Sequence, residues 1–154
     1  MKRYDKVIFL CTTNTLLSPL AECIFRKNSP DWMPEAVSRG LVVLFEEPVN
    51  PKMNVLLSQN GFSVSNHGMS KQIAAEELTE DTLILTMTLS EKVKFIEEFH
   101  YENYVYTLGE YVGVEADLID PVGGEEEQYK ECFDEIVFRV NKAIHKIEEQ
   151  YWEE

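Results

Sequence analysis

Apolar positions along the chain switch between two periods. Val7-Ile8-Phe9-Leu10-Cys11 is a continuous apolar run of strand length, the pattern of a strand covered on both faces. The polar stretch Thr12-Thr13-Asn14-Thr15 ends it. Leu20, Cys23 and Ile24 then recur at helical spacing, so a helix follows, with Ser18 expected as its N-cap and Pro19 at its first position. A second strand region is predicted over 36–45, interrupted at Gly40. Asn50-Pro51 should open a helix carrying Met53, Leu56 and Leu57 that stops at Asn60-Gly61. Residues 82–87 read as another covered strand. Thr88-Leu89-Ser90-Glu91 has the form of a capping box, opening a helix through Val93, Ile96 and Phe99. A short strand over 104–108 is followed by a long polar loop reaching Asp120-Pro121-Val122-Gly123-Gly124. The last helix is apolar at 129, 132, 133, 136, 137, 140, 144 and 147, with Glu125, Glu126 and Glu127 at the positive end of its dipole.

Alternation of covered strands with helices predicts an α/β fold: a four-stranded parallel sheet with helices on both faces, in three layers. No linker, repeat or low-complexity segment divides the chain, so residues 1–154 are expected to form one domain, large enough to bury a core without a metal or disulfide staple. Charge changes the picture more than composition does. Fourteen basic against 28 acidic residues give −14, so nucleic acid and anionic membrane surfaces are unfavourable partners. No apolar stretch approaches the roughly 20 residues that span a bilayer. Three cysteines without zinc-ligand spacing point to reduced thiols and a cytoplasmic protein, with no metal and no cofactor called for.

The candidate chemistry lies in the first strand-to-helix turn, from Cys11 to Pro19. A cysteine at the C-terminal end of a buried strand faces backbone N–H groups and the positive end of the next helix. Such a nest binds a phosphate-sized anion and lowers a thiol pKa. A small buried hydrophobe is the alternative role for Cys11.

The segment Cys11-Thr12-Thr13-Asn14-Thr15-Leu16-Leu17-Ser18-Pro19-Leu20-Ala21-Glu22 resembles the active-site loop of the low-molecular-weight protein tyrosine phosphatases, C-x-x-N-x-x-R-S-P-x-A-E. Ser38-Arg39-Gly40, His67 ahead of Lys71-Gln72, Ile84-Leu85-Thr86-Met87 and Asp120-Pro121 follow in the family's order, over nearly the whole chain. The resemblance implies that Cys11 is the nucleophile forming a phosphocysteine intermediate. It implies that Asp120 is the general acid and then the general base. Thr12, Thr13, Asn14, Thr15, Leu16, Leu17 and Ser18 would form the phosphate-binding loop, supported by Ser38 and His67. Asn14 and Asp120 are otherwise turn residues, and His67 a loop histidine. Thr15, Gly109-Glu110-Tyr111 and the residues after Asp120 look closer to the protein-arginine phosphatase branch than to tyrosine-specific members.

The sequence departs from that pattern at its most important cation. Leu17 stands where the family has the arginine that forks onto two phosphoryl oxygens. Losing one such donor costs ~3 kcal/mol, or ~10²–10³ in rate, and the arginine-finger comparison suggests ~10³–10⁵. Arg39 is the nearest substitute by motif, but if Ser38 points at the loop its strand neighbour points away. Thr13 replaces a common glycine, which questions the loop's backbone. Leu16 replaces a common second cysteine, and Val122 an aromatic wall of the substrate slot. The expected function is therefore a catalytically impaired phosphatase-like protein that still binds phosphate or a phosphorylated protein side chain. An active cysteine-dependent phosphatase for phosphotyrosine or phosphoarginine, and a non-catalytic interaction domain, are the alternatives. Arsenate reduction would need a cysteine relay that Cys23 and Cys132 are not placed to supply.

Overall fold

A computed structural model describes residues 3–64 and 67–152. Four strands, β1 (Lys6–Cys11), β2 (Glu35–Gly40), β3 (Thr82–Thr86) and β4 (Val105–Thr107), form one parallel sheet in the order β2-β1-β3-β4. Side chains alternate across it. Val7, Phe9, Cys11, Leu83 and Leu85 pack into the larger core with α1 (Leu17–Asn28), α2 (Pro51–Gln59) and α5 (Glu126–Trp152). Ile8, Leu10 and Ile84 pack on the other face with Phe95 of α3 (Leu89–Phe99). The three-layer architecture and four-stranded parallel sheet are those the apolar pattern predicts.

The order of strands positions the site. From β1 the chain crosses to β2 on one side, while β3 lies on the other, and the helices leaving β1 and β3 cover opposite faces. A crevice therefore opens beyond the carboxyl ends of β1 and β3, the place where ligands sit in open α/β sheets. The Cys11–Ser18 loop and the start of α3 form its two sides.

Several elements differ from the sequence reading, each for an identifiable reason. Helix α1 starts at Leu17 with Leu16 at the N-cap, and no side chain caps it, because the Ser18 hydroxyl is engaged with Cys11 and Asn14 instead. Strand β2 ends at Gly40 and does not reach residue 45. Leu41 and Val42 give their N–H groups to the carbonyls of Cys11 and Thr12, and Leu44 and Phe45 then run out to 80% and 77% exposure. In α3 Glu91 and Phe95 are buried and Ile96 and Phe99 pack against the core as expected, while Val93 is exposed. A short helix α4 (Leu108–Val112) opens the segment read as loop. It is capped by Thr107 and Glu110, a Thr-x-x-Glu box that the glycine between them masked. Asn50 does cap α2, accepting from the N–H groups of Lys52 and Met53, and Thr88 and Glu91 do form the capping box of α3.

Candidate functional site

The loop between β1 and α1 turns on Asn14, whose φ of 60° is in the left-handed region. Asparagine tolerates that conformation better than most side chains. Thr13 is not among the residues of positive φ, so it brings no left-handed strain to the position where a glycine is usual. Its hydroxyl pairs with that of Thr15 at 3.0 Å, exposed. Gly40 backs the loop. A Cβ there would lie 3.0 Å from the carbonyl oxygen of Thr12, 3.0 Å from the carbonyl carbon of Thr13 and 2.7 Å from Val43.

A directed chain of hydrogen bonds holds the loop against β2. The Asn14 amide is fully buried and donates to Ser18 Oγ (2.9 Å) and Ser38 Oγ (3.0 Å), while its Oδ1 accepts from Lys71 N (2.9 Å). Ser38 in turn donates to Glu22 Oε1 at 2.6 Å. His67 Nδ1 lies 3.0 Å from the same oxygen and 3.1 Å from Ser38 Oγ. Glu22 Oε2 takes Arg26 Nε at 2.9 Å. Ser18 Oγ accepts from Asn14 and lies 2.8 Å from Cys11 Sγ, with the Arg39 carbonyl within its reach at 3.4 Å. The N–H of Asn14 also points at the sulfur, at 3.3 Å. Cys11, Asn14, Ser18, Ser38 and His67 are thus brought together. Glu22, not singled out from the sequence, is the carboxylate on which the chain ends; it lay inside the Ala-Glu end of the motif.

The charge around Cys11 departs from the expectation of an acidified thiol. Burial pushes its pKa above the ordinary thiol value. The Ser18 hydroxyl and the N–H groups of Ser18 and Asn14 pull it down, and the carboxyl of Glu91 pushes it up again. The result is a protonated thiol at neutral pH. Leu17 supplies no cation. It is buried in the larger core with Cys11, Leu16 and Leu20.

Each of the chain's four arginines is engaged elsewhere. Arg39 gives Nε and Nη2 to Glu77 Oε1 (2.8 and 2.7 Å) and Nη1 to the Ser38 carbonyl, pointing away from Cys11. Arg26 holds Glu22, Arg139 holds Glu135 and the Ala116 carbonyl, and Arg3 lies over the Tyr151 ring.

Across the crevice Thr12 Oγ1 donates to Glu91 Oε2 at 2.9 Å. Glu91 was read from the sequence only as a capping residue; no local pattern marks its second contact. Asp120 lies on the loop that Leu118 N ties to the Met87 carbonyl (3.4 Å), at the same end of the sheet. Its carboxylate is exposed, outside the hydrogen-bond chain, and accepts from Val122 N at 2.9 Å. It lines a cavity of about 690 Å³ shared with Cys132 and Arg139 of α5 and with no residue of the Cys11–Ser18 loop. No group of His, Cys, Asp and Glu among the described residues has the geometry to hold a metal ion. No helix among them is long and apolar enough to cross a membrane.

Comparison with known proteins agrees with this geometry. The chain matches the low molecular weight phosphotyrosine protein phosphatase family over residues 6–152. It is 33% identical over 138 residues to the low molecular weight protein-tyrosine-phosphatase PtpB of Staphylococcus haemolyticus, covering 89% of this chain and 96% of the relative. The Staphylococcus aureus PtpB is 34% identical over 137 residues, covering 89% and 95%. Among solved structures, the YwlE arginine phosphatase of Geobacillus stearothermophilus superposes with a TM-score of 0.86 at 25% identity, covering 97% of both chains. A low molecular weight protein tyrosine phosphatase from T. tengcongensis gives 0.82 at 32% identity, covering 92% of this chain and 98% of that one. A Cys11 thiol under a serine hydroxyl, a left-handed Asn14 and a match along almost the full length lead to one conclusion: the chain belongs to the low molecular weight phosphotyrosine protein phosphatase family.

Proposed function

We propose that this phosphatase-family chain is a single domain that retains the phosphate-binding loop, Thr12 to Ser18, but turns substrate over at least ~100-fold more slowly than an arginine-bearing relative. The observation that carries the reading is Leu17, buried and without a donor, while all four arginines are occupied elsewhere. Without a cation the developing phosphoryl charge meets only backbone N–H groups, and the protonated Cys11 is a poor nucleophile. The ligand would be phosphate or a phosphorylated protein side chain. Thr15 and the likeness to an arginine phosphatase structure support phosphoarginine over phosphotyrosine.

A specific observation favours a second reading, a slow but genuine phosphatase. Ser18 and the Asn14 N–H remain aimed at the sulfur, as thiolate stabilisation requires. In that reading Cys11 is the nucleophile and Asp120 the acid. Release of phosphate from an aryl phosphate separates the two. Slow release that disappears in both Cys11→Ser and Asp120→Ala supports the slow enzyme. A rate matching that of arginine-bearing relatives overturns the impaired reading, and folded protein that binds phosphate without turnover supports it.

A further inference from the structure

The polar network explains most of the charged and titratable groups near the loop, but not Glu91. Its carboxyl is held at both oxygens: Oε1 accepts from Thr88 N at 3.0 Å, and Oε2 accepts from Thr12 Oγ1 at 2.9 Å. The first contact is half of the α3 capping box, so the side chain cannot swing away without uncapping the helix. The second fixes a negative group one residue from the sulfur of Cys11, at 7% exposure. Among the described residues no Lys, Arg or His forms an ion pair with it.

The charged and titratable groups around Glu91 can be named. Cys11 of β1 feels its charge. Asp117, from the loop that carries Asp120, accepts from Leu89 N at the start of the same helix, at 3.0 Å. Lys92, its neighbour on α3, is spent on Glu110 of α4 at 2.9 Å. None supplies a free positive charge. An anion entering the loop would therefore meet a fixed carboxylate that no cation among the described residues pairs with, and two like charges sharing a dry site cannot both stay fully ionised.

We propose that Glu91 is a specificity-determining residue that makes the loop select oxyanions accompanied by a proton, so that phosphate-type anions bind in their protonated form and a fully deprotonated anion is bound together with one proton taken from solution. For a phosphate or phosphoryl monoanion the proton sits on a ligand oxygen, hydrogen-bonded to the carboxylate. For a ligand that cannot carry one, it sits on Glu91. No covalent step is involved, and the added proton offsets the added negative charge. The burial that already raises the Glu91 pKa acts in the same direction. The proposal rests on the loop having kept its anion site.

Inorganic sulfate tests it, because sulfate stays a dianion between pH 6 and 8 and leaves the proton to the protein. Calorimetric titration of the full chain in two buffers of different ionisation enthalpy counts the protons taken up. At pH 7 we expect close to one per sulfate, and an affinity rising roughly three- to tenfold for each unit the pH is lowered. Glu91→Gln keeps a side chain able to complete the capping box, and it should bind sulfate more tightly at pH 8 with a nearly flat profile. It should also narrow the preference for phosphate over sulfate. A purely structural role for Glu91 would change affinity without changing the slope. Sulfate binding with no proton uptake by the wild type, or with the same slope in Glu91→Gln, overturns the assignment to Glu91 and leaves the anion site standing. Absence of both sulfate and phosphate binding at every pH in both proteins overturns the anion site, and the role of Glu91 with it.

Discussion

Against β2, the loop is held by a run of hydrogen bonds: Asn14 donates to Ser18 and Ser38, Ser38 donates to Glu22, and the Ser18 hydroxyl lies against the Cys11 sulfur. The same loop is bare of compensating charge elsewhere, with Leu17 in the first turn of α1 and, across the crevice, a Glu91 that no cation among the described residues pairs with. The first region fixes shape and the second would decide charge. The difference teaches that holding a loop in an anion-binding conformation and stabilising an anion in it are separable properties. Buried polar groups must be satisfied whether or not a ligand ever arrives.

The comparison breaks most visibly if the missing charge is returned. Leu17→Arg should raise kcat/KM on an aryl phosphate by about 10²–10³, since the supporting network is already in place. No gain in a folded variant would show that the polar side alone does not preserve a working geometry. Next in size is damage to that side. Asn14→Ala removes two donors and an acceptor and puts alanine at a φ of 60°, so urea denaturation should show a loss of about 3 kcal/mol. Gly40→Ala should cost less, about 1–3 kcal/mol, because the new methyl presses on the backbone of Thr12 and Thr13.

The smallest effect is electrostatic. The folded-state pKa of Glu91 is raised, so its contribution to stability is fully present below the pKa of an unfolded glutamate and lost as pH rises through the folded value. Glu91→Gln should therefore gain stability relative to the wild type between pH 5 and pH 8. The Cys11 alkylation rate, read from its peptide mass, should rise at lower pH in that variant and at higher pH in Ser18→Ala.

Much of this molecule was legible in its order of residues, and the exceptions share a cause. Apolar runs and caps located all four strands and four of the helices, because burial and capping are local matters. Cys11, Asn14 and Ser18 were legible through one motif, and Ser38 and His67 through two others that follow it in the family's order. What escaped depended on residues far apart in sequence. Thr12 and Glu91 are 79 positions apart and meet only because the sheet reverses its strand order between β1 and β3. Arg139 reads as one more charge on a helix, yet it is 4% exposed and holds the Ala116 carbonyl of the loop that carries Asp120. The serine read as a cap was claimed by a stronger competitor, a buried amide and a sulfur.

The crowding behind Gly40 has a consequence for how such a protein can change. A stretch of main chain braced from the rear, where no side chain fits, keeps its curvature while the groups in front of it are exchanged. Catalysis can then be lost or regained by altering single side chains, with no need to remake the scaffold that presents them.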